Sequence, residues 1–246
     1  MVSRLMTYGV FARVYDELMD DQLFLKWRDY TEKHLLKKES TILELACGTG
    51  DLGILLKQSG YNITGLDLSE EMLTIAKSKQ AQSGVEFPLL QADMRDLSYF
   101  ASYDAIISFC DSLCYLQSPK DLKKVFEQVY QHLNDEGIFM FDVFTTEHIK
   151  TLDGYSYHDE IPGIVFTWDS FEGEHDHSIE HELSFFVELE NGDYKRQVEI
   201  HKERTYELEF YLEELKKVGF SKIDIKADFN EKLSGNNVRW FFKAEK

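Results

Sequence analysis

The chain has 246 residues, 43% of them hydrophobic and 14% aromatic, enough to bury a sizeable core in one large domain. Its 45 acidic residues outweigh 27 basic ones for a net charge of −18, and a field of that sign repels phosphate backbones, so long nucleic acid is disfavoured as a partner. Three cysteines (Cys47, Cys110 and Cys114) with no CxxC pair, and no run near the ~18 apolar residues of a membrane span, suit a cytoplasmic protein that does not enter a bilayer.

The first periodic segment, "YGVFARVYDELM", places Tyr8, Phe11 and Tyr15 at spacings of three and four, an aromatic face on a short helix. Five near-continuous apolar runs follow at 41–46, 62–67, 86–91, 104–109 and 137–143, as expected of strands covered on both faces. Between them lie helical patterns at 51–59 and 70–80. A third helix opens with Ser118 as N-cap, Pro119 at the first helical position and Asp121 where a capping box wants an acid. Strand and helix in alternation predict an α/β architecture, a doubly wound and mostly parallel sheet with right-handed crossovers. Beyond residue 144 aromatic and acidic residues partly alternate with polar ones, and Asn191-Gly192 signals a two-residue hairpin turn, which predicts an inserted antiparallel ribbon over 151–206. A helix at about 207–218 and two strands, "SKIDIKADF" and "VRWFFKAE", then close the sheet as an antiparallel pair at its edge, bringing the count to seven.

The turn after the first strand reads "ELACGTGDLG", with Gly48, Gly50 and Gly53 in a literal G-x-G-x-x-G. Such a turn lets backbone N–H groups approach a ligand, and it serves either a dinucleotide or another adenosine cofactor. Asp67, nineteen positions after Gly48 at the end of the second strand, is placed to take ribose hydroxyls in both cases. Glu44, four residues before the first glycine, would repel a pyrophosphate and welcome a cationic amino-acid tail. Asp93 adds an acceptor at the carboxyl edge of the sheet, and its neighbour Met94 can pack on a base. The loop and three carboxylates thus point to a positively charged adenosine ligand.

On these residues the chain resembles a known family. "ILELACGTGDLG", "ITGLDLSEEML", "LLQADM" and "YDAIISFCDSLCYL" are similar, in order and spacing, to the signature motifs of class I S-adenosylmethionine-dependent methyltransferases over residues 40 to 145. The opening "YGVFARVYDELM" and closing "VRWFFKAEK" resemble the ends of a group of small bacterial methyltransferases. The resemblance implies a Rossmann-like methyltransferase fold forming one domain over 1–246, with S-adenosylmethionine as cofactor. It also implies that Gly48 and Gly50 approach the methionine part, with Glu44 beneath the loop near that tail. Asp67 binds the ribose with Leu68 beside it, Asp93 reaches the adenine amino group with Met94 at the ring, and Asp111 meets the tail or the substrate mouth. Residues 1–30 become a helical lid in which Tyr15 and Tyr8 close on the transfer site, the alternative being a helix docked on the sheet.

Methyl transfer needs orientation and exclusion of water, so no catalytic side chain is assigned from the sequence. By family comparison, "SFCDSLCY" lacks the Asn/Asp-Pro-Pro-aromatic and Pro-Cys runs of base-modifying enzymes, leaving Cys110 as a buried small hydrophobe and small molecules or a protein side chain as acceptors. The insertion holds fourteen acidic and four basic residues, which favours a neutral or cationic acceptor, although a solvated strand face gives the same count. His175, His177 and His181 lack the spacing of a closed metal site, and no metal is expected. A nicotinamide-linked oxidoreductase on the same sheet and a non-catalytic S-adenosylmethionine-binding module stay open at this level.

Overall fold

The computed structural model describes residues 10–35, 37–229 and 232–246. Chain order runs α1 (Phe11–Leu18), α2 (Asp21–His34), β1 (Thr41–Leu45), α3 (Asp51–Gln58), β2 (Asn62–Asp67), α4 (Glu70–Ser83), β3 (Leu89–Gln91), β4 (Tyr103–Ser108), α5 (Pro119–His132) and β5 (Leu133–Phe144). It continues through α6 (Thr146–Thr151), β6 (Ser156–Ile161), β7 (Ile164–Glu172), β8 (Ser178–Glu188), β9 (Tyr194–Arg204), α7 (Leu208–Val218), β10 (Ser221–Ala227) and β11 (Arg239–Glu245).

Seven strands form one sheet in the order β10-β11-β5-β4-β1-β2-β3, parallel except for β11, which runs antiparallel between β5 and β10. Alternate side chains of each strand enter opposite cores. Leu43, Ile106, Phe139 and Phe141 meet α5 and α7 through Leu122, Phe126 and Tyr211. Ile42, Ile107, Met140 and Phe241 meet α2 and α3 through Trp27, Tyr30 and Leu56. Burying a large apolar side chain contributes roughly 1.5–3 kcal/mol, so these two clusters hold the sheet between its helices. Ser118 caps α5 as its sequence requires, accepting from Asp121 N–H at 3.0 Å.

Three local expectations differ from the structure. The third strand starts at Leu89, not 86, because Pro88 has no N–H to give a ladder; Phe87 turns its ring toward α3, where a Cβ on Gly53 would come within 2.7 Å of it. That contact gives the third glycine of the loop a helix-packing role. The turn between β8 and β9 holds more than the two residues predicted: Gly192 N–H donates to Leu189 O at 2.9 Å, Leu189 N–H to Asp193 O at 2.8 Å, and only Gly192 takes a left-handed φ of 84°. A two-residue I′ turn needs positive φ at both positions, so Asn191-Gly192 instead builds a three-residue loop with a glycine bulge. Residues 173 to 177 form a turn, with His177 at φ 57°, so the condition under which His175 and His177 would share one face, that their segment be a strand, is not met.

Strands β6 to β9 form a separate four-stranded antiparallel sheet, the predicted insertion. Register aligns Ser170, His181 and His201 across β7, β8 and β9, and the same buried face carries Phe166, Leu183, Glu199 and Glu203. Its apolar part packs on α1 and α4 through Phe11, Val14 and Met72. Glu199 accepts from the N–H groups of Val10 and Phe11 at 2.8 and 3.1 Å, so a strand carboxylate satisfies the otherwise orphaned donors at the start of α1. α1 is therefore docked on the inserted sheet, while α2, which begins within the 1–30 segment and runs beyond it to His34, packs into the core of the main sheet through Trp27 and Tyr30.

Candidate active site

The carboxyl ends of parallel strands expose the main-chain turns that lead into helices, and a cavity of about 750 Å³ opens there. Ala46 and Gly48 follow β1, Asp67 ends β2 and Leu68 follows it, and Asp93, Met94 and Arg95 follow β3, all of them in its wall. Cys110 and Asp111 after β4 and Phe144 at the end of β5 continue it. Arg239 joins them because β11 runs antiparallel, which brings its first residue to the same edge. Phe11, Tyr15 and Leu18 of α1 cover one side, and Tyr155, Trp168, His181 and Glu203 form the wall supplied by the insertion.

Gly50 caps α3 with φ 82°, a conformation that only glycine adopts without strain, and a Cβ there would lie 3.0 Å from Ala76 Cβ. The Asp67 carboxylate accepts from Gly48 N–H and Ser69 N–H, both at 2.8 Å, and so ties the glycine loop to the end of β2. Burial raises its pKa, while those backbone donors oppose the rise. Glu44 is 5% exposed and its Oε2 has no hydrogen-bond partner. It lines an adjoining recess of about 40 Å³ beneath the loop, not the main cavity; the two share Tyr15, Ala46, Gly48, Cys110 and Ser112. Burial first, then the charges of Asp51 and Asp67, push its carboxyl up to about 8.

Asp93 is bound by Arg95 through Nε and Nη2, at distances down to 2.6 Å, and that guanidinium holds its pKa below the usual carboxylate range. A ligand reaching Asp93 must therefore share it with Arg95. Asp111 has a left-handed φ of 49° and its carbonyl accepts from Cys114 N–H, so it does cap the following turn through its backbone. Its side chain receives Arg239 Nη2 at 2.6 Å and its N–H donates to Asp142 Oδ1 at 2.7 Å. Trp27 Nε1 donates to the other Asp142 oxygen at 2.7 Å, and burial pushes that carboxyl up to about 7 despite Arg239. Tyr15 lies in the cavity wall with its hydroxyl 3.6 Å from Cys110 Sγ; burial raises both groups, which keeps phenol and thiol protonated. Tyr8 lies outside the described residues.

Sequence reasoning missed Arg239, Trp168, Tyr155 and Glu203, and it raised His181 only as a metal ligand. Among the described residues no three His, Cys, Asp or Glu side chains converge on a metal position. His177 instead lies 2.9 Å from Glu207, and His181 receives or gives a hydrogen bond with Ser170 Oγ at 2.7 Å. Burial and the neighbouring His201 push His181 down to about 4, so its imidazole is neutral at neutral pH.

Residues 42–137 match the family described as a methyltransferase domain. The chain is 40% identical over 245 residues, 98% of either chain, to the protein named "Putative methyltransferase YqeM" of Bacillus subtilis (strain 168). It is 28% identical over 227 residues, 89% of this chain and 80% of the other, to the glycine/sarcosine N-methyltransferase of Halorhodospira halochloris. It superposes with a TM-score of 0.81 and 28% identity on the crystal structure of an S-adenosylmethionine-dependent methyltransferase from Clostridium acetobutylicum ATCC 824, covering 97% and 98% of the two chains. The nicotinamide-linked and non-catalytic alternatives fall with these matches. A glycine turn tied to Asp67, a cavity at the carboxyl edge of a sheet with one antiparallel strand, and likeness over almost the whole length assign this chain to the methyltransferase family, as an S-adenosylmethionine-dependent enzyme.

Proposed function

We propose that the enzyme methylates a small neutral or cationic acceptor in the cavity between the main sheet and the inserted sheet, and that it works in the cytoplasm. The observation that carries this reading is the lining: five carboxyl residues (Asp67, Asp93, Asp111, Asp121 and Glu203) against two arginines, each of which is already paired with an aspartate. An anionic acceptor would meet net repulsion there. The inserted domain element over 151–206 is the acceptor-side wall, and α1 is the lid, with Tyr15 over the transfer site. Among the described residues no helix is long and apolar enough to cross a membrane.

The residues fit the cofactor. Glu44 Oε2, buried and unpartnered beneath the glycine loop, suits the ammonium of a methionine tail, directly or through water. Gly48, where a Cβ would meet nothing within 4 Å, leaves the loop open to that tail while Gly50 lets the turn close on α4; Asp67 suits ribose hydroxyls with Leu68 beside them, and Asp93 with Met94 flanks the base. When bound, S-adenosylmethionine supplies an electrophilic methyl group on a sulfonium. The chain's own task is to orient the acceptor against it and to exclude water, which α1 and the aromatic lining do.

Titration calorimetry with S-adenosylhomocysteine and with NADH tests the cofactor assignment; tight homocysteine-nucleoside binding and indifference to NADH are expected. Methyl label passed to small molecules of a cell extract, with none passed to macromolecules, tests the acceptor class. Label confined to protein or nucleic acid would remove the small-molecule reading.

A further inference from the structure

The wall supplied by the insertion has a polar feature that the cofactor does not use. Glu203, on β9, is 5% exposed and lies in the cavity wall, and its Oε2 has no hydrogen-bond partner. Its Oε1 is 3.7 Å from His181 Nε2, while His181 Nδ1 is engaged by Ser170 Oγ at 2.7 Å. A buried carboxyl with an unmet oxygen costs about 1–3 kcal/mol unless a partner arrives, so the site asks for a hydrogen-bond donor. Around it stand aromatic faces: Trp168 lies edge-on to His181 at 5.3 Å, Phe11 lies edge-on to Trp168 at 6.4 Å and to Tyr15 at 5.5 Å, and Tyr115 shares the wall. Such faces attract a cation and repel an anion.

We propose that this wall binds the nitrogen of an amine acceptor, with the Glu203 carboxyl as its hydrogen-bond and charge partner and Trp168, Tyr115 and Tyr15 as its aromatic surround. The inference rests on the cavity being the site of methyl transfer. Glu203 and His181 also account for the proton. An alkylammonium, with a pKa of about 10, has no free pair until it loses a proton, and a carboxylate or imidazole in contact can take it. Burial raises Glu203, against the opposing Arg239 charge and a Tyr115 hydrogen bond, and lowers His181, so burial favours the neutral form of each and a cationic guest favours the carboxylate.

The step balances. The ammonium gives one proton to the Glu203 carboxylate; the freed nitrogen pair forms the new C–N bond while the C–S bond breaks and its pair stays on sulfur, leaving a neutral thioether. The product departs as a methylated ammonium, and Glu203 returns its proton to solvent. An alcohol O–H, far less acidic than an ammonium, is poorly matched to so weak a base.

Calorimetry on protein saturated with S-adenosylhomocysteine tests the inference with three isosteric probes: n-propylammonium, n-propanol and propionate. The ammonium is expected to bind at least about tenfold more tightly than the alcohol, about 1.4 kcal/mol, with propionate weakest. In Glu203→Gln that advantage falls to parity while affinity for S-adenosylhomocysteine stays within about twofold. Equal binding of ammonium and alcohol to the native enzyme, including no measurable binding of either, overturns the proposal, as does an ammonium preference that survives in E203Q. If E203Q does not fold, the native comparison decides alone. Failure of S-adenosylhomocysteine itself to bind overturns the cofactor reading and is seen separately, before any probe is added.

Discussion

The two sides of the cavity are built by different means. The main-sheet side is made of main chain: a glycine turn, a strand-end aspartate holding two backbone N–H groups at 2.8 Å, and capped helix starts. The inserted side is made of side chains from three strands, set together by register, with Ser170 facing His181 and His181 facing His201. A surface of backbone donors offers one geometry to a constant cofactor. A surface of side chains can be changed one residue at a time, which suits the acceptor side proposed for it.

Substitutions break or sharpen that contrast. The largest effect is expected at Arg239, a side-chain device on the main-chain side: Arg239→Met leaves Asp111 and Asp142 buried without their cation and costs about 3–5 kcal/mol of stability, read from the denaturant midpoint. Next comes Asp67→Ala, which removes two charge-assisted bonds; calorimetry should show S-adenosylhomocysteine affinity falling about a hundredfold, or ~2.7 kcal/mol, with a smaller loss of stability. Gly50→Ala forces a positive φ on a side chain that meets Ala76 and lowers stability by about 1–2 kcal/mol, seen as a lower Tm.

The same buried carboxyls also give a pH effect. Glu44 and Asp142 are raised to about 8 and about 7, above their unfolded values near 4, so the folded state holds more protons across that window. Their contribution is fully present below pH 4 and is lost as pH rises through 7 and 8. Tm should therefore decline between pH 5 and 8.5, and Glu44→Gln should flatten the decline. His175→Ala, in the turn before β8, should change stability by less than about 0.5 kcal/mol and leave transfer intact, separating that turn from the interior row.

The same contrast explains what could be read in the chain. The loop from Glu44 to Gly53, Asp67, and the Ser118 cap are local, each recognisable within a few residues because glycine, aspartate and serine act on adjacent backbone. The α/β alternation is local too, and the seven-stranded sheet follows from it. His181 and Glu203 looked like members of an acidic, histidine-bearing ribbon, since their common face depends on the pairing of β8 with β9, Ile179 opposite Glu203 and His181 opposite His201. Asn191-Gly192 signalled a hairpin, yet the loop length that sets register came from the hydrogen bonds of Leu189. Glu44 was legible as a carboxylate beneath the loop but not as the wall of a separate recess. Arg239 carried no local mark, because its meaning comes from Asp111, 128 residues earlier.

That separation has a consequence for how the enzyme comes into being. During synthesis β5 emerges about a hundred residues before its neighbour β11, and a sheet edge left unpaired for that interval is a template for aggregation. The glycine turn can form early, but the floor around Asp111 and Asp142 keeps uncompensated carboxylates until Arg239 arrives from the ribosome. A nascent chain stalled before β11 should accordingly recruit chaperones and fail to retain the nucleoside, with both traits reversing once β11 has left the ribosome.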